Sequence, residues 1–370
     1  MIVLFGATGY TGRRVAQSMV RRGLRPVLAG RDAGRLSAVA SRLDNLEVAR
    51  ADVTDTASVR ALIRRGGVLV STVGPFIRLG EPALRAAIEA GAIYLDSTGE
   101  SPFIRRVFEE FGPAAQRTGA SLITAFGHDY VPGNLAGALA LRDSRSKVHR
   151  IEVAYLISGV GRSQVISRGT FRSAVGLLTE RDFTWRDGIR PQPAGVRARI
   201  IQVGGREYPA VALGTTEHYA LPQLAGPVGL AAVDVYFGRC TPVTPMVRLG
   251  CRVIPALLAS SAVRSMVRGI GTWAQRWVAE EPDASALARV NSHIVATAYD
   301  ESGAELAQVR LVSGDPYQLT ADLLAWGAQQ AAEHGVSGPG ALGPAAAFGL
   351  DPLAAGAHEV GLRHAIEDGN

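Results

Sequence analysis

Ile2-Val-Leu-Phe-Gly6-Ala-Thr-Gly9-Tyr-Thr-Gly12-Arg13 decides how this chain folds: an apolar run ends in three glycines spaced by three, and a helical pattern follows. A buried parallel strand that turns at once into a helix needs side chains removed at the turn and wherever something lies against it. Gly6 suits the turn, Gly9 lets backbone N–H groups approach a diphosphate, and Gly12 allows close packing of helix on strand. The helix start adds unpaired donors and a positive dipole end. A lone glycine triplet is weak, but strand before and helix after is the context a dinucleotide-binding loop requires. Thr8, Tyr10 and Thr11 fill the remaining loop positions, and Arg13 and Arg14 stand in the first helical turn, where a cation opposes the dipole unless an anion is near. Either one of them serves the nucleotide or both point into water.

The second strand, Pro26-Val-Leu-Ala29-Gly30-Arg31-Asp32, bears on which nucleotide is bound. A carboxylate at its end would accept from ribose hydroxyls, whereas small residues followed by a guanidinium suit a 2′-phosphate. Gly30 and Arg31 therefore predict NADP; the alternative has Arg31 at a surface loop and Asp32 on the ribose. A third strand runs through residues 46–53 and places Asp52 and Val53 at the adenine edge, although Asp52 is equally a candidate cap for the helix after Thr54. A fourth, residues 67–71, breaks into Thr72-Val73-Gly74-Pro75-Phe76, putting backbone beside the diphosphate and nicotinamide, because ligands bind beyond the carboxyl ends of such strands.

The chain's 370 residues leave room for a second core beyond this domain. Its 39 basic and 33 acidic residues give a net charge of +6, and Lys147 is the only lysine, a bias of the kind a GC-rich genome produces. The arginines are scattered rather than striped, no nucleic-acid motif is present, and an anionic cofactor accounts for a local excess. Cys240 and Cys251 match neither a zinc pattern nor a disulfide framework, so no metal is expected. The opening strand leaves no room for a signal peptide, which predicts a cytoplasmic protein. The Leu-, Val- and Ala-rich residues 221–277 are interrupted by Asp234, Arg239, Arg248 and Arg252, which predicts no transmembrane segment. Residues 247–278 read as two helices, apolar on one side and Arg-bearing on the other.

Beyond the first domain, strands are expected over residues 149–157, 197–203, 292–299 and 304–312, the last two forming a hairpin across residues 300–303. Helices are expected over 167–178 and 315–333. The predicted class is α/β: a Rossmann-like parallel-sheet domain over residues 1–135, an α+β substrate and dimerisation domain over 136–314, and residues 315–370 packing back on the first. Asp96 and Glu100 resemble a carboxylate pair, but one of them is expected to cap the helix near Pro102. Glu217 and His218 read either as substrate-facing or as a strand end.

The combination of residues 6–13, Ala29-Gly-Arg31, residues 72–76, Tyr94-Leu-Asp-Ser-Thr-Gly-Glu100 and Gly127-His-Asp-Tyr-Val-Pro-Gly-Asn-Leu135 resembles the saccharopine dehydrogenase-like oxidoreductases. Within them it is most similar to the trans-acting enoyl reductase branch, a likeness extended by Glu280-Glu-Pro-Asp283 and Ser313-Gly-Asp-Pro-Tyr317 and loose between 150 and 280. The resemblance implies an NADP-dependent reductase acting on a double bond of a polyketide- or lipid-like intermediate, apolar or carrier-bound, in a homodimer; other relatives form or reduce C=N bonds of amino acids. One departure is that His128 and Tyr130 stand where the family usually has an aromatic residue and a small hydroxyl. Both can donate a proton beside Asp129, so either is a candidate acid oriented by Asp129, or the loop simply hydrogen-bonds. An imine-type dehydrogenase would need α-carboxylate anchors, for which Arg162, Arg168 and Arg172 are available; a non-catalytic NADP-binding protein is the third reading.

Overall fold

The computed structural model describes residues 1–144, 146–159, 167–168, 171, 181–193, 197–226, 229–240 and 260–365. It divides the chain into two compact units: Met1–Gly99 with Phe103–Val131 and Tyr317–Val360, and Glu100–Pro102 with Pro132–Pro316 and Gly361–Asn370. The division falls at Val131 rather than at residue 135. The return to the first unit ends at Val360, because the last short strand joins the other sheet.

The first unit holds a seven-stranded parallel sheet built from β1 (Ile2–Phe5), β2 (Val27–Gly30), β3 (Val48–Arg50), β4 (Val68–Ser71), β5 (Ile93–Asp96), β6 (Ser121–Ile123) and β15 (Gly340–Ala341). Their order is β15-β6-β5-β4-β1-β2-β3. β1 is central, with Phe5 opposite Ala29 on one side and Ser71 on the other, so the order reverses beside the strand that feeds the glycine loop. Strands covered on both faces read as near-continuous apolar runs, as Ile2–Phe5 and, up to its final Ser71, Val68–Ser71 do, every residue buried. Val3, Phe5, Leu69, Leu84, Tyr94 and Leu122 lie in one apolar cluster.

Helix α1 (Tyr10–Arg21) leaves β1, and the helix Pro316–His334 belongs with it. Asp322 accepts from Ser18 (2.6 Å) and Arg21 (3.0 Å), and Arg14 donates to Gln318 (3.2 Å). The same helix approaches the sheet through Gly327, where a Cβ would come within 2.5 Å of Phe126 and 3.0 Å of Leu95. Trp326 stacks on Phe126 and takes the place of the missing side chain at Gly356, 2.1 Å from where its Cβ would be.

The second unit is built on a mixed nine-stranded sheet. Its path is β10 (Ala198–Val203), β11 (Arg206–Ala212), β12 (Ala232–Arg239), β7 (Arg150–Ser158), β13 (Asn291–Tyr299), β14 (Glu305–Ser313) and β16 (Arg363–His364); β8 (Arg181–Arg186) pairs with β12 and with β9 (Ile189–Pro193). Among the described residues only the β12–β7 pair in it is parallel. The hairpin turn between β13 and β14 closes with Asp300 N–H donating to the Ala304 carbonyl at 3.0 Å.

Several expectations change. Glu217 and His218 open a helix, Glu217–Leu224, rather than end a strand. The apolar stretch from residue 221 contains the buried strand β12, which periodicity does not separate from a helix. Of the two helices expected over 247–278, the second is the helix Ser261–Ala274, while residues 247–259 and Cys251 lie outside the described residues. Most of the helix expected over 167–178 lies there too, with Arg162 and Arg172. Among the described residues no helix is long and apolar enough to cross a membrane, and no cluster of ligating side chains suits a metal ion.

Candidate nucleotide-binding site

At the carboxyl end of β1 the three glycines have three different reasons to be glycine. Gly6 has φ +94°, and a Cβ there would stand 2.7 Å from Thr72 Oγ1 and 3.0 Å from Val73. Gly12 faces the turn itself: its Cβ would fall 2.1 Å from the Gly6 carbonyl oxygen, a contact no backbone tolerates. Gly9 is exposed and meets only that same oxygen, at 3.4 Å, so the space above it is open. Thr72 Oγ1 ties the end of β4 to the loop by hydrogen bonds to the Phe5 (3.3 Å) and Gly6 (3.2 Å) carbonyls.

Helix α1 begins at Gly9 with no side-chain cap and no acidic residue in its first turn. A helix start of this kind offers amide donors and a positive dipole end to an anion. Arg13 folds back over the loop and donates to the Thr8 carbonyl (2.7 Å), which Arg35 also reaches (3.4 Å). Arg14 instead lies over the Tyr10 ring, 4.9 Å from its centroid. Tyr10 meets Tyr317 edge-on, and Thr11 is half-buried beside it.

Arg31 follows β2 and is exposed, while Asp32 is used as a helix cap, accepting from Arg35 N–H at 2.9 Å. One oxygen of the carboxylate that the sequence offers to the ribose is thus bonded to the helix. Gly30 has only ordinary contacts where its Cβ would be, with Leu36 at 3.7 Å, so a small residue is not forced there by neighbours. Arg50, at the end of β3, donates to the Arg31 carbonyl at 3.3 Å. Arg31, Arg35 and Arg50 thus stand as three exposed guanidinium groups beyond the ends of β2 and β3. Sequence reading found only the first; Arg35 is betrayed by its place three residues after a capping Asp, and Arg50 by its strand's lying beside β2.

Asp52 does not cap the helix that follows Thr54. Asp55 does so, accepting from Ala57 (3.1 Å) and Ser58 (3.2 Å) N–H groups. Asp52 accepts from the Thr54 amide (2.9 Å) and hydroxyl (2.8 Å), and these bonds, with Arg31 and Arg50, hold its carboxyl below the usual range. Val53 packs at the edge of the core, and Phe76 within it. Gly74 is exposed and Pro75 half-buried at the open end of β4.

The residues 126–130 form a tightly tied loop after β6. His128 N–H donates to Thr320 Oγ1 (3.0 Å), and Tyr130 N–H to the Ala125 carbonyl (2.8 Å). His128 Nδ1 lies 2.8 Å from Asp129 Oδ1; the histidine side chain is 6% exposed and the aspartate 44%. Tyr130 is buried, and its hydroxyl donates to the Gly99 carbonyl at 2.9 Å. The two proton donors therefore differ: one is paired with a carboxylate open to solvent, the other tethers a neighbouring loop. Asp96 does not cap the helix at Ser101. It accepts from Thr98 N–H, Ala125 N–H and Thr124 Oγ1 (2.9, 2.9 and 2.8 Å), and burial pushes its carboxyl up to about 6.

In the second unit Glu217 and His218 are both buried. Glu217 accepts from Tyr155 OH at 2.6 Å, and that oxygen accepts from Gly133 N–H at 2.8 Å. Burial raises Glu217 to about 7 and lowers His218 to about 3. Arg168 donates to the Val278 carbonyl (2.8 Å) and pairs with Glu280 (3.4 Å), so it is engaged away from any α-carboxylate.

The saccharopine dehydrogenase NADP binding domain family model matches residues 2–123. A Mycobacterium tuberculosis protein is 38% identical over 141 residues, 36% of this chain and 34% of its own length. A trans-acting enoyl reductase of Mycobacterium ulcerans is 37% identical over 140 residues, with the same shares. The chain thus spans about a third of the length of the curated relatives it matches. Apo saccharopine dehydrogenase (L-Glu forming) from Saccharomyces cerevisiae has the same fold: TM-score 0.60 at 12% identity, covering 98% of this chain and 99% of that one. Homospermidine synthase from Legionella pneumophila, solved with NAD, gives 0.60 at 9%, covering 100% and 93%. The motifs' resemblance holds where it is strongest: residues 2–123, the amino-terminal third of the chain, match the saccharopine dehydrogenase NADP binding domain.

Proposed function

We propose that the protein is an NADPH-dependent reductase that reduces an enoyl or related conjugated double bond of a polyketide- or lipid-like intermediate. The observation that carries the nucleotide half is the cradle: Gly12 can be nothing larger, Gly9 is left open, and the helix above them starts uncapped. Shape and charge both fit a dinucleotide with an extra phosphate, which Arg31, Arg35 and Arg50 would hold. The enoyl half is supported by the trans-acting enoyl reductases that the chain resembles.

Bound NADPH supplies a hydride. The protein's own part is to orient that donor and to quench the charge that builds on the substrate. Addition of hydride to the β-carbon of an enoyl group leaves an enolate, and a nearby acid stabilises it and returns a proton to the α-carbon. His128 suits that task in its protonated form: Nδ1–H stays bonded to Asp129 while Nε2–H is given up. Tyr130 is a structural tether, its hydroxyl being given to the Gly99 carbonyl.

The test follows NADPH absorbance with an enoyl thioester, a cyclic imine and an amino acid (plus NADP for the last). Turnover is expected with the thioester alone, and His128→Ala should lower kcat by about 10²–10⁴ with the Kd for NADPH unchanged. Turnover of the imine or amino acid instead would overturn the substrate reading; a kcat within a few-fold of wild type would remove His128 as the acid.

A further inference from the structure

The helix Ser261–Ala274 and the turn Gln275–Trp277 that prolongs it carry four large apolar side chains in the open: Met266 (59% exposed), Ile270 (56%), Trp273 (56%) and Trp277 (75%). Their spacing of four, three and four residues places them in one stripe along a helix. The helix has a separate seated side, on which Gly271 is buried and Val263, Val267 and Ala274 are half-buried. Single exposed apolar residues are ordinary, but a contiguous stripe marks a contact surface. The two indoles lie edge to face, 6.3 Å apart, at the carboxyl end of the stripe.

Charge selects the occupant. Residues 241–279 contain Arg248, Arg252, Arg264, Arg268 and Arg276 and no Asp, Glu or Lys. Arg276 is exposed and sits between the two tryptophans in sequence. Acidic residues resume only at Glu280, which is paired with Arg168. A second copy of the same segment would bring like charges together, which disfavours self-association through this face. Lipid headgroups that carry negative charge attract the arginines, and tryptophan settles at the level of those headgroups. A short amphipathic helix with basic residues and an aromatic-aliphatic edge has the composition of an element that lies in the plane of a bilayer surface.

We propose that Ser261–Ala274 with Gln275–Trp277 is an interfacial helix that docks this protein on a membrane surface bearing anionic lipid, with Met266, Ile270, Trp273 and Trp277 entering the headgroup boundary. The docking is independent of the reaction, and a reductase of any substrate class would show it.

Vesicle co-sedimentation of the full chain tests this, with tryptophan emission as second readout. Vesicles of phosphatidylcholine with phosphatidylglycerol should bind at least about tenfold more tightly than phosphatidylcholine alone, with a blue shift, and added salt should weaken the binding. Replacing Met266, Ile270, Trp273 and Trp277 together by Gln should lower that affinity at least about tenfold while calorimetric NADPH binding is kept. Trp277→Gln alone, at the most exposed position, should lower it severalfold and covers the case in which the fourfold variant fails to fold. Arg276→Gln should reduce the preference for anionic vesicles about fivefold. The proposal is overturned by any of these results: no sedimentation with anionic vesicles, equal binding to both vesicle types, wild-type binding by both apolar-stripe variants, or a stripe that instead mediates dimerisation or binds only an acidic protein.

Discussion

The two units of this protein treat their polar groups in opposite ways. Around the glycine loop the first unit keeps Arg31, Arg35 and Gly9 exposed and begins α1 without a cap. The second unit buries Glu152, Asp182, Glu217, His218 and Asp234 and gives each a partner from within, Asp182 through one of its two carboxylate oxygens. Glu152 stands between Arg150 (3.1 Å) and Arg199 (2.7 Å), and Asp234 between Arg186 and Arg197. Burial pushes Asp234 up, but the two guanidinium partners outweigh it and leave its carboxyl lowered; Asp182, with weaker neutral partners, is raised to about 6. A charge that meets its partner inside the fold is architecture. Donors and cations turned outward at the ends of parallel strands are equipment for something that arrives from outside. Within the first unit Asp96 is the exception that keeps the distinction useful, since it is buried, amide-bonded and raised in pKa as Asp182 and Glu217 are in the second.

The comparison breaks most visibly at Gly12. Gly12→Ala forces a methyl into the Gly6 carbonyl, and the expected loss is about 3 kcal/mol or more of combined folding and binding energy. Calorimetry should register no NADPH binding; an affinity within a few-fold of wild type would mean the loop is not the cradle.

Next in size is Glu217, whose folded pKa of about 7 lies above its ordinary 4.5. Between those values the folded state holds more protons than the unfolded one, so stability falls as pH rises through that window. The loss is about 3 kcal/mol in total; it is nil below the window and complete above it, so stability has no slope from this group on either side. Glu217→Gln should remove this slope, gaining on wild type as pH goes from roughly 4.5 to 7; denaturation at both ends of the window measures it. Parallel curves would show that the carboxylate is not held protonated. His218 acts in the other sense, since a histidine kept neutral to about 3 costs stability as pH falls below its ordinary 6.5.

For the outward-facing group the sharper question is selectivity. Arg31→Ala should cost about 1.5–3 kcal/mol of NADPH binding, one to two decades, and leave NADH binding alone. If the ratio of the two dissociation constants does not move, Arg35 and Arg50 carry the phosphate without it. Smallest is Tyr130→Phe: about 1 kcal/mol of stability, from the lost bond to Gly99, with kcat within a few-fold. A collapse of kcat at unchanged stability would give the proton to Tyr130.

The first unit was legible because its rules are local. β1, its glycines and the strand ends beyond β2 and β4 are dictated by steric needs that residues a few positions apart impose on one another, and Gly6, Gly9 and Gly12 declare them in the sequence. β7, β10, β13, β14 and the helix Pro316–His334 also follow from periodicity and turn chemistry, to within a residue or two. β12 was hidden because a strand flanked on both sides reads as a continuous apolar run, and its Asp234 looks like an interruption until Arg186 and Arg197 are found beside it. β16 is two residues long and exists through its partners on β14. Asp52 was read as the candidate cap where Asp55 serves, since short polar side chains close to one helix start satisfy the same rule. Separating His128 from Tyr130 needed a distance no spacing contains, that from the tyrosine hydroxyl to Gly99.

Trp326 and Gly356 bear on how the molecule is made. The floor beneath Phe126 is laid by Gly327 and Trp326, and Trp326 is in turn seated by Gly356. As the chain emerges from the ribosome, β1 to β6 therefore appear long before the helix that covers them, and Leu95 and Phe126 wait uncovered while the whole second unit is synthesised. Vectorial folding cannot finish the first unit first. A nascent chain arrested before residue 356 should remain a client of chaperones and a target for proteases, and a fragment ending at residue 131 is a poor choice for producing this nucleotide domain on its own.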